Sequence, residues 1–151
     1  MIVVGMRAPP IAGRTTRGES VTLEQHRGRH VVVYFFPKAF SPGCTRQAER
    51  FTDAYEAIRA LGAEIIGVSV DDYQTQCSFA EKHEVKYPLL ADPGREISRA
   101  YGVLRKWLPF DRRVTFVIAP DGTVAARFAH EIRVSQHVRD VVDFLRKATA
   151  G

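Results

Sequence analysis

The stretch His30-Val31-Val32-Val33-Tyr34-Phe35-Phe36-Pro37-Lys38-Ala39-Phe40-Ser41-Pro42-Gly43-Cys44 decides the fold. After His30 its first residues are all β-branched or aromatic, the pattern of a strand buried on both faces. Pro37, which has no N–H to give a ladder, ends it. From Cys44 to about Leu61 the spacing changes. Ala48, Phe51, Tyr55 and Ile58 recur every three or four residues, which predicts a helix closed by Gly62. Strand followed by helix places Cys44 at a helix start, where backbone N–H groups are unpaired and carry partial positive charge. A thiol there is biased toward thiolate, its reactive form.

Toward the C-terminus, Glu64–Val70 reads as a second buried strand, and Asp71 and Asp72 as caps for a helix over 73–83. Tyr87–Ala91 is a short strand or extended segment, Asp92-Pro93-Gly94 a turn, and Glu96–Tyr101 a short helix ending at Gly102. Val114–Ala119 and Thr123–Phe128 flank Pro120-Asp121-Gly122, a hairpin signal. Ser135 is placed to cap a last helix with Val138, Val141, Val142 and Leu145 on its apolar face. Toward the N-terminus, residues 1–20 read as an extended lead-in, Val21-Thr22-Leu23 as a short strand and Gly28 as a turn. The early strand–helix–strand unit requires a right-handed crossover and a parallel pair, and the late hairpin adds antiparallel strands. The expected architecture is α/β: one thioredoxin-like domain over 1–151, a mixed central sheet with helices on both faces and an N-terminal extension.

With 45% apolar and 26% charged residues in 151, the chain has the composition of a globular protein with one sizeable core. No apolar run approaches the roughly 20 residues of a membrane helix, and no secretory pattern opens the sequence, so no membrane partner and a cytoplasmic location are expected. The net charge of +5 is spread over scattered arginines without a nucleic-acid motif, and reads as a solvated basic surface. Two cysteines far apart exclude both a disulfide-rich scaffold and a Cys-x-x-Cys motif. His26, His30, His83, His130 and His137 show no metal-ligand spacing.

The segment Pro37-x-x-x-Ser41-x-x-Cys44 suits peroxide reduction. A thiolate attacks one peroxide oxygen while the other leaves with negative charge, so donors must face the leaving oxygen. Amides of the helix start supply some. The Ser41 hydroxyl is placed to donate to one oxygen and accept from the other. Pro37 shields the pocket, and a nearby guanidinium would favour thiolate and polarise the peroxide together. Arg112 and Arg113 alternate across a strand start, so one of the two points inward.

These residues resemble the peroxiredoxins, above all their bacterioferritin-comigratory, or Q-type, branch. The resemblance extends through Gly67-Val68-Ser69-Val70-Asp71, Phe79-Ala80-Glu81-Lys82, Tyr87-Pro88-Leu89-Leu90-Ala91-Asp92, Ala100-Tyr101-Gly102-Val103 and Arg113-Val114-Thr115-Phe116-Val117-Ile118. It implies a thiol peroxidase acting on hydrogen peroxide and organic hydroperoxides. Cys44 would become a sulfenic acid, Ser41 would position the peroxide, Arg113 would be the active-site arginine and Pro37 would line the pocket. Gln47, one turn after Cys44, would hydrogen-bond the arginine.

Many relatives in that branch carry a second cysteine five residues after the first. Glu49 stands there in this chain, and Cys77 in the next helix is the resolving cysteine the resemblance permits. A disulfide needs Cα atoms within about 7 Å. Neighbouring helix starts lie roughly 10 Å apart, so partial unwinding around Cys44 would be needed. Thioredoxin or a similar thiol would regenerate the enzyme, with no cofactor or metal, as a monomer or weak homodimer. A one-cysteine peroxidase reduced by an external thiol, a thiol–disulfide oxidoreductase and a non-enzymatic basic binding module are the alternatives. Trp107-Leu108-Pro109-Phe110 reads as core packing, with a pocket wall or a partner contact as other uses.

Overall fold

A strand with no polar face must be covered twice, and the chain does so with two different materials. In a computed structural model that describes residues 2–108, 110–130 and 133–150, β1 (Ala12–Arg14) and β2 (Ser20–Thr22) form a small antiparallel hairpin. A 3-10 turn at Leu23–His26 follows, closed by a reciprocal Thr22–Gln25 capping box. Then come β3 (His30–Phe35), α1 (Pro42–Ala60), β4 (Ala63–Ser69), α2 (Tyr73–Lys82) and β5 (Leu89–Ala91). The chain finishes with α3 (Glu96–Ala100), β6 (Val114–Ile118), β7 (Val124–Ala129) and α4 (Val134–Ala150).

The main sheet has five strands in the order β5-β4-β3-β6-β7. β3 pairs parallel with β4 and antiparallel with β6, so the sheet is mixed, as the crossover and hairpin require. Period-two alternation splits β3 between two cores. Val32 and Tyr34 face one layer with Phe51, Tyr55, Ile58, Phe79, Val141 and Leu145 of α1, α2 and α4. Val31, Val33 and Phe35 face another with Ile11, Val21, Leu23, Tyr101 and Val103. Helices therefore lie on both faces, unevenly. Three long ones cover one side, and α3 with the N-terminal segment covers the other. Gly67 allows the dense packing on the helical side, because a Cβ there would sit 2.9 Å from the Tyr34 ring.

Several expected boundaries move. The lead-in contains β1, whose three exposed residues carry no alternation to read. The expected Val21–Leu23 strand is β2 over Ser20–Thr22, and Leu23 starts the 3-10 turn. Ser135 is not a cap, because α4 already begins at Val134, which is buried. The Trp107–Phe110 cluster is not core. Trp107 is 86% exposed and Leu108 50%, and Pro109 lies outside the described residues. The chain pairs Leu104 with Asp111 in an isolated bridge, and Lys106, Trp107 and Leu108 between them are exposed. There Lys106 and Arg105 lie against the Trp107 and Phe110 rings.

Candidate active site

Pro42, whose fixed φ suits the first helical position and whose missing N–H is no loss there, starts α1. The Ser41 backbone carbonyl accepts from the Thr45 N–H at 2.9 Å, leaving the Gly43 and Cys44 amides as orphan donors of the first turn. Cys44 is buried beneath them at 1% exposure, and its thiol is free.

Arg113, just ahead of β6, reaches the same point. Its Nη2 lies 3.5 Å from Cys44 Sγ, and its Nη1 donates to Gln47 Oε1 at 2.6 Å. Arg113 is buried and Arg112 exposed, so alternation turns one arginine inward and the other out. A Cβ on Gly43 would lie 3.1 Å from Arg113 Nη2, and glycine there leaves room for the guanidinium. Gln47, one turn after Cys44, shares its face of α1 and holds the guanidinium's other arm.

The remaining expected residues are placed as follows. Pro37 is half-buried in the loop after β3. Ser41 is half-buried at the end of that loop, and its hydroxyl does not cap α1. It donates to the Lys38 carbonyl at 2.7 Å, leaving its lone pairs to accept. Cys77 lies farther off, on α2, half-buried and also a free thiol. It shares a helix face with Tyr73, one turn earlier. The Cys77 thiol beside it raises the Tyr73 pKa, and the Tyr73 hydroxyl donates to the Thr15 carbonyl at 2.9 Å. Phe79 lies on nearly the opposite face of α2, against Phe36 and Phe40 beside the cysteine loop. Cys77 therefore faces the N-terminal hairpin, and Phe79 faces the Cys44 side.

One contributor was not read from the sequence. Asp71 and Asp72 were both expected to cap α2, and Asp72 alone does so, accepting from the Thr75 N–H at 2.8 Å. Asp71 turns back toward the cysteine loop. Its Oδ2 accepts from the Ala39 N–H at 2.7 Å and the Ser69 hydroxyl at 2.6 Å. This brace holds the loop through Phe40, which adopts φ 67°, a left-handed conformation costly for a side chain of that size. The only sequence signal was a doubled aspartate where one cap suffices. Beneath the site, the Tyr34 and Tyr87 hydroxyls pair at 2.7 Å. Burial first, then Tyr87 and Cys44, push Tyr34 far above the usual phenol range. This floor is neutral.

A free thiol at a helix start, contacted by a buried guanidinium, is the arrangement the sequence motif anticipates, and comparison with known proteins supplies the family. The AhpC/TSA family model matches residues 4–127. The chain belongs to the AhpC/TSA family, as a peroxiredoxin. It is 32% identical over 151 residues to Peroxiredoxin Bcp of Bacillus subtilis, covering 96% of each chain. It is 37% identical to the chloroplastic Peroxiredoxin Q of Gentiana triflora, spanning 95% of this chain and 67% of that longer protein. Among solved structures, the peroxidoxin BcpB of Mycobacterium tuberculosis superposes with a TM-score of 0.90 at 28% identity, covering 97% of this chain and 98% of that one. The bacterioferritin comigratory protein of Xanthomonas campestris, studied for alkyl peroxide reduction, superposes at 0.87 with 26% identity, covering 97% and 99%. Family membership and the thioredoxin-like fold thus rest on sequence and structure alike.

Proposed function

We propose that this peroxiredoxin reduces hydrogen peroxide and organic hydroperoxides through Cys44, and the observation that carries this is the Arg113 guanidinium 3.5 Å from its sulfur. The cation favours the ionised sulfur and faces the position a peroxide must occupy to be attacked. Cys44 sulfur attacks one oxygen, the O–O bond breaks, and the sulfur is oxidised to a sulfenic acid. The other oxygen leaves with the bonding pair and takes a proton to become water or an alcohol. Orphan amides of the first turn and Arg113 stabilise its charge, and Ser41 oxygen accepts from the peroxide O–H. Gln47 fixes the guanidinium, and Pro37 narrows the approach.

Cys77 completes the cycle in this reading. Its thiol displaces water from the sulfenic acid to give a Cys44–Cys77 disulfide, which a thioredoxin-type dithiol reduces by exchange. The support is that Cys77 is the second and last cysteine of the chain, on the next helix after a parallel strand. Its orientation toward the hairpin requires α1 or α2 to yield first. Such recycling belongs to a reducing compartment such as the cytoplasm.

The test treats wild type, Cys44→Ser and Cys77→Ser with one equivalent of peroxide and weighs the intact chains. Loss of two hydrogens in wild type alone supports the internal disulfide. Added oxygen on wild type without that loss favours the one-cysteine alternative, with an external thiol as reductant. No change in wild type, with the peroxide unconsumed, refutes the peroxidase reading.

A further inference from the structure

Among the buried titratable groups that the peroxidase mechanism leaves unused, one lies beside the site. His137, in the first turn of α4, is fully buried. Its Nδ1 lies 2.7 Å from Thr115 Oγ1, and its Nε2 lies 2.7 Å from the His130 carbonyl oxygen. The His130 N–H also lies 3.2 Å from Nε2, and a neutral ring carrying its proton on Nε2 fits the two shorter contacts. It donates to the carbonyl and accepts from the threonine hydroxyl.

The three elements joined there enclose Arg113. Thr115 is two residues beyond Arg113, which stands just ahead of β6, so alternation sends both side chains to the helical side. His130 follows β7. Val134, at the start of α4, lies 3.8 Å from where a Cβ on Gly43 would be, the position that also meets Arg113 Nη2 at 3.1 Å. Gly43 thus sits between the guanidinium and the α4 start. His130 continues the network outward. Its Nε2 lies 2.9 Å from Asp140 Oδ2, whose other oxygen accepts from Gln136 at 2.7 Å.

We propose that His137 is a positioning residue for the peroxidase step: as a neutral post between β6 and α4, it holds the wall that keeps Arg113 on Cys44. The inference rests on the peroxidase reading above. Protonation would place a second cation beside the guanidinium and remove the ring's acceptor from Thr115. The charged and titratable groups that act on His137 are Arg113 before β6, His130 after β7 and Asp140 on α4 itself. Burial first, with His130 and Arg113 adding, lowers its pKa to about 4, against an opposing contact to the His130 backbone and Asp140. The ring is therefore neutral through the physiological range.

The experiment uses the full chain in a Cys77→Ser background, with His137 intact or changed to Ala or Gln. Gln keeps a donor for the His130 carbonyl without a titratable group. Two second-order rates at Cys44 are measured from pH 4 to 8: oxidation by hydrogen peroxide, and alkylation by iodoacetamide. Alkylation reports the ionised sulfur, while oxidation also needs Arg113 in place over the peroxide. At pH 7, His137→Ala should lower the oxidation-to-alkylation ratio about 10- to 100-fold, the loss expected of a misplaced catalytic group, and Gln should restore most of it. Below about pH 5 the ratio should fall with His137 intact and stay level with Gln. Equal ratios in all three proteins at every pH would overturn the proposal. If the Ala protein does not fold, the acid behaviour of the Gln protein against its parent decides alone. A parent chain that gains no oxygen at all would instead refute the peroxidase reading.

Discussion

The two cysteines stand one strand and one helix apart and live in different physical settings. Cys44 is buried at a helix start, under a guanidinium that is itself fixed by Gln47 and framed by Gly43. Its loop is pinned by Asp71 from a third element. Cys77 is half-buried in mid-helix, with Tyr73 one turn away and the Arg14 guanidinium 5.3 Å over that ring. No cation touches its sulfur among the described contacts. The difference assigns the two thiols different tasks. One must be held in a fixed geometry before the peroxide arrives, while the other must be free to move after it has left.

The sharpest way to break that contrast is to exchange the sulfurs for oxygen one at a time. Cys44→Ser should lower peroxide consumption on the order of 10³-fold or more, the scale of losing a nucleophile. Cys77→Ser should leave the first oxidation step unchanged and alter only the product. A stopped-flow rate for the first equivalent of peroxide distinguishes the two, and equal losses would erase the division of labour. Next in size is Arg113→Gln, which removes the charge while keeping a hydrogen-bonding side chain. About 10²- to 10³-fold should be lost in the same rate, the range for deleting one donor to a developing anion.

A third test concerns what the ordered side costs. Asp111, two residues before Arg113, is fully buried, with one oxygen accepting from the Ser98 hydroxyl at 2.8 Å. Burial first, with the Asp92 and Asp71 carboxylates adding and Ser98 and Arg95 opposing, raises it from 3.8 to about 7. The folded chain therefore holds this proton more tightly than the unfolded one. The stabilisation is complete below about pH 4 and is lost as pH rises toward 7. Asp111→Asn has no such proton to lose. Its stability relative to wild type should improve by about 2 kcal/mol between pH 5 and pH 7 in urea denaturation. A pH-independent difference would mean that Asp111 ionises without strain. Gln47→Ala should cost about 10-fold in the oxidation rate, as loss of an orienting contact. Smallest of all, Cys77→Ser should change stability by less than about 1 kcal/mol, since the thiol is half-buried.

The fold was legible where burial leaves a period. β3, α1, β4 and the β6–β7 hairpin each show one, and their order alone demands a mixed sheet. β1 was not legible, because three exposed residues paired with a neighbour have no apolar face to mark them. Trp107 misled for a related reason. A large aromatic implies burial in a sequence, but this one lies on an exposed turn, with the Lys106 ammonium over its ring. At the site, Cys44 and Ser41 follow from the strand–turn–helix motif; spacing says only that one of Arg112 and Arg113 points inward, and the choice of Arg113 and the role of Gln47 come from the family resemblance. Asp71 and His137 follow from neither. Their partners, Ala39 for one and Thr115 and His130 for the other, lie on separate elements that only the fold brings together. Strand spacing implies a rearrangement before Cys77 could reach Cys44, but it does not give the direction that Cys77's side of α2 faces.

The pairing of one sulfur with one guanidinium is tested most directly in the Cys77→Ser protein, where chemistry beyond the first step cannot intrude. Its second-order rate with hydrogen peroxide should fall by at least about 10²-fold when Arg113 becomes Gln, with a single oxygen added to Cys44 in both proteins. Identical rates with and without the arginine, or oxygen appearing elsewhere in the chain, would contradict it.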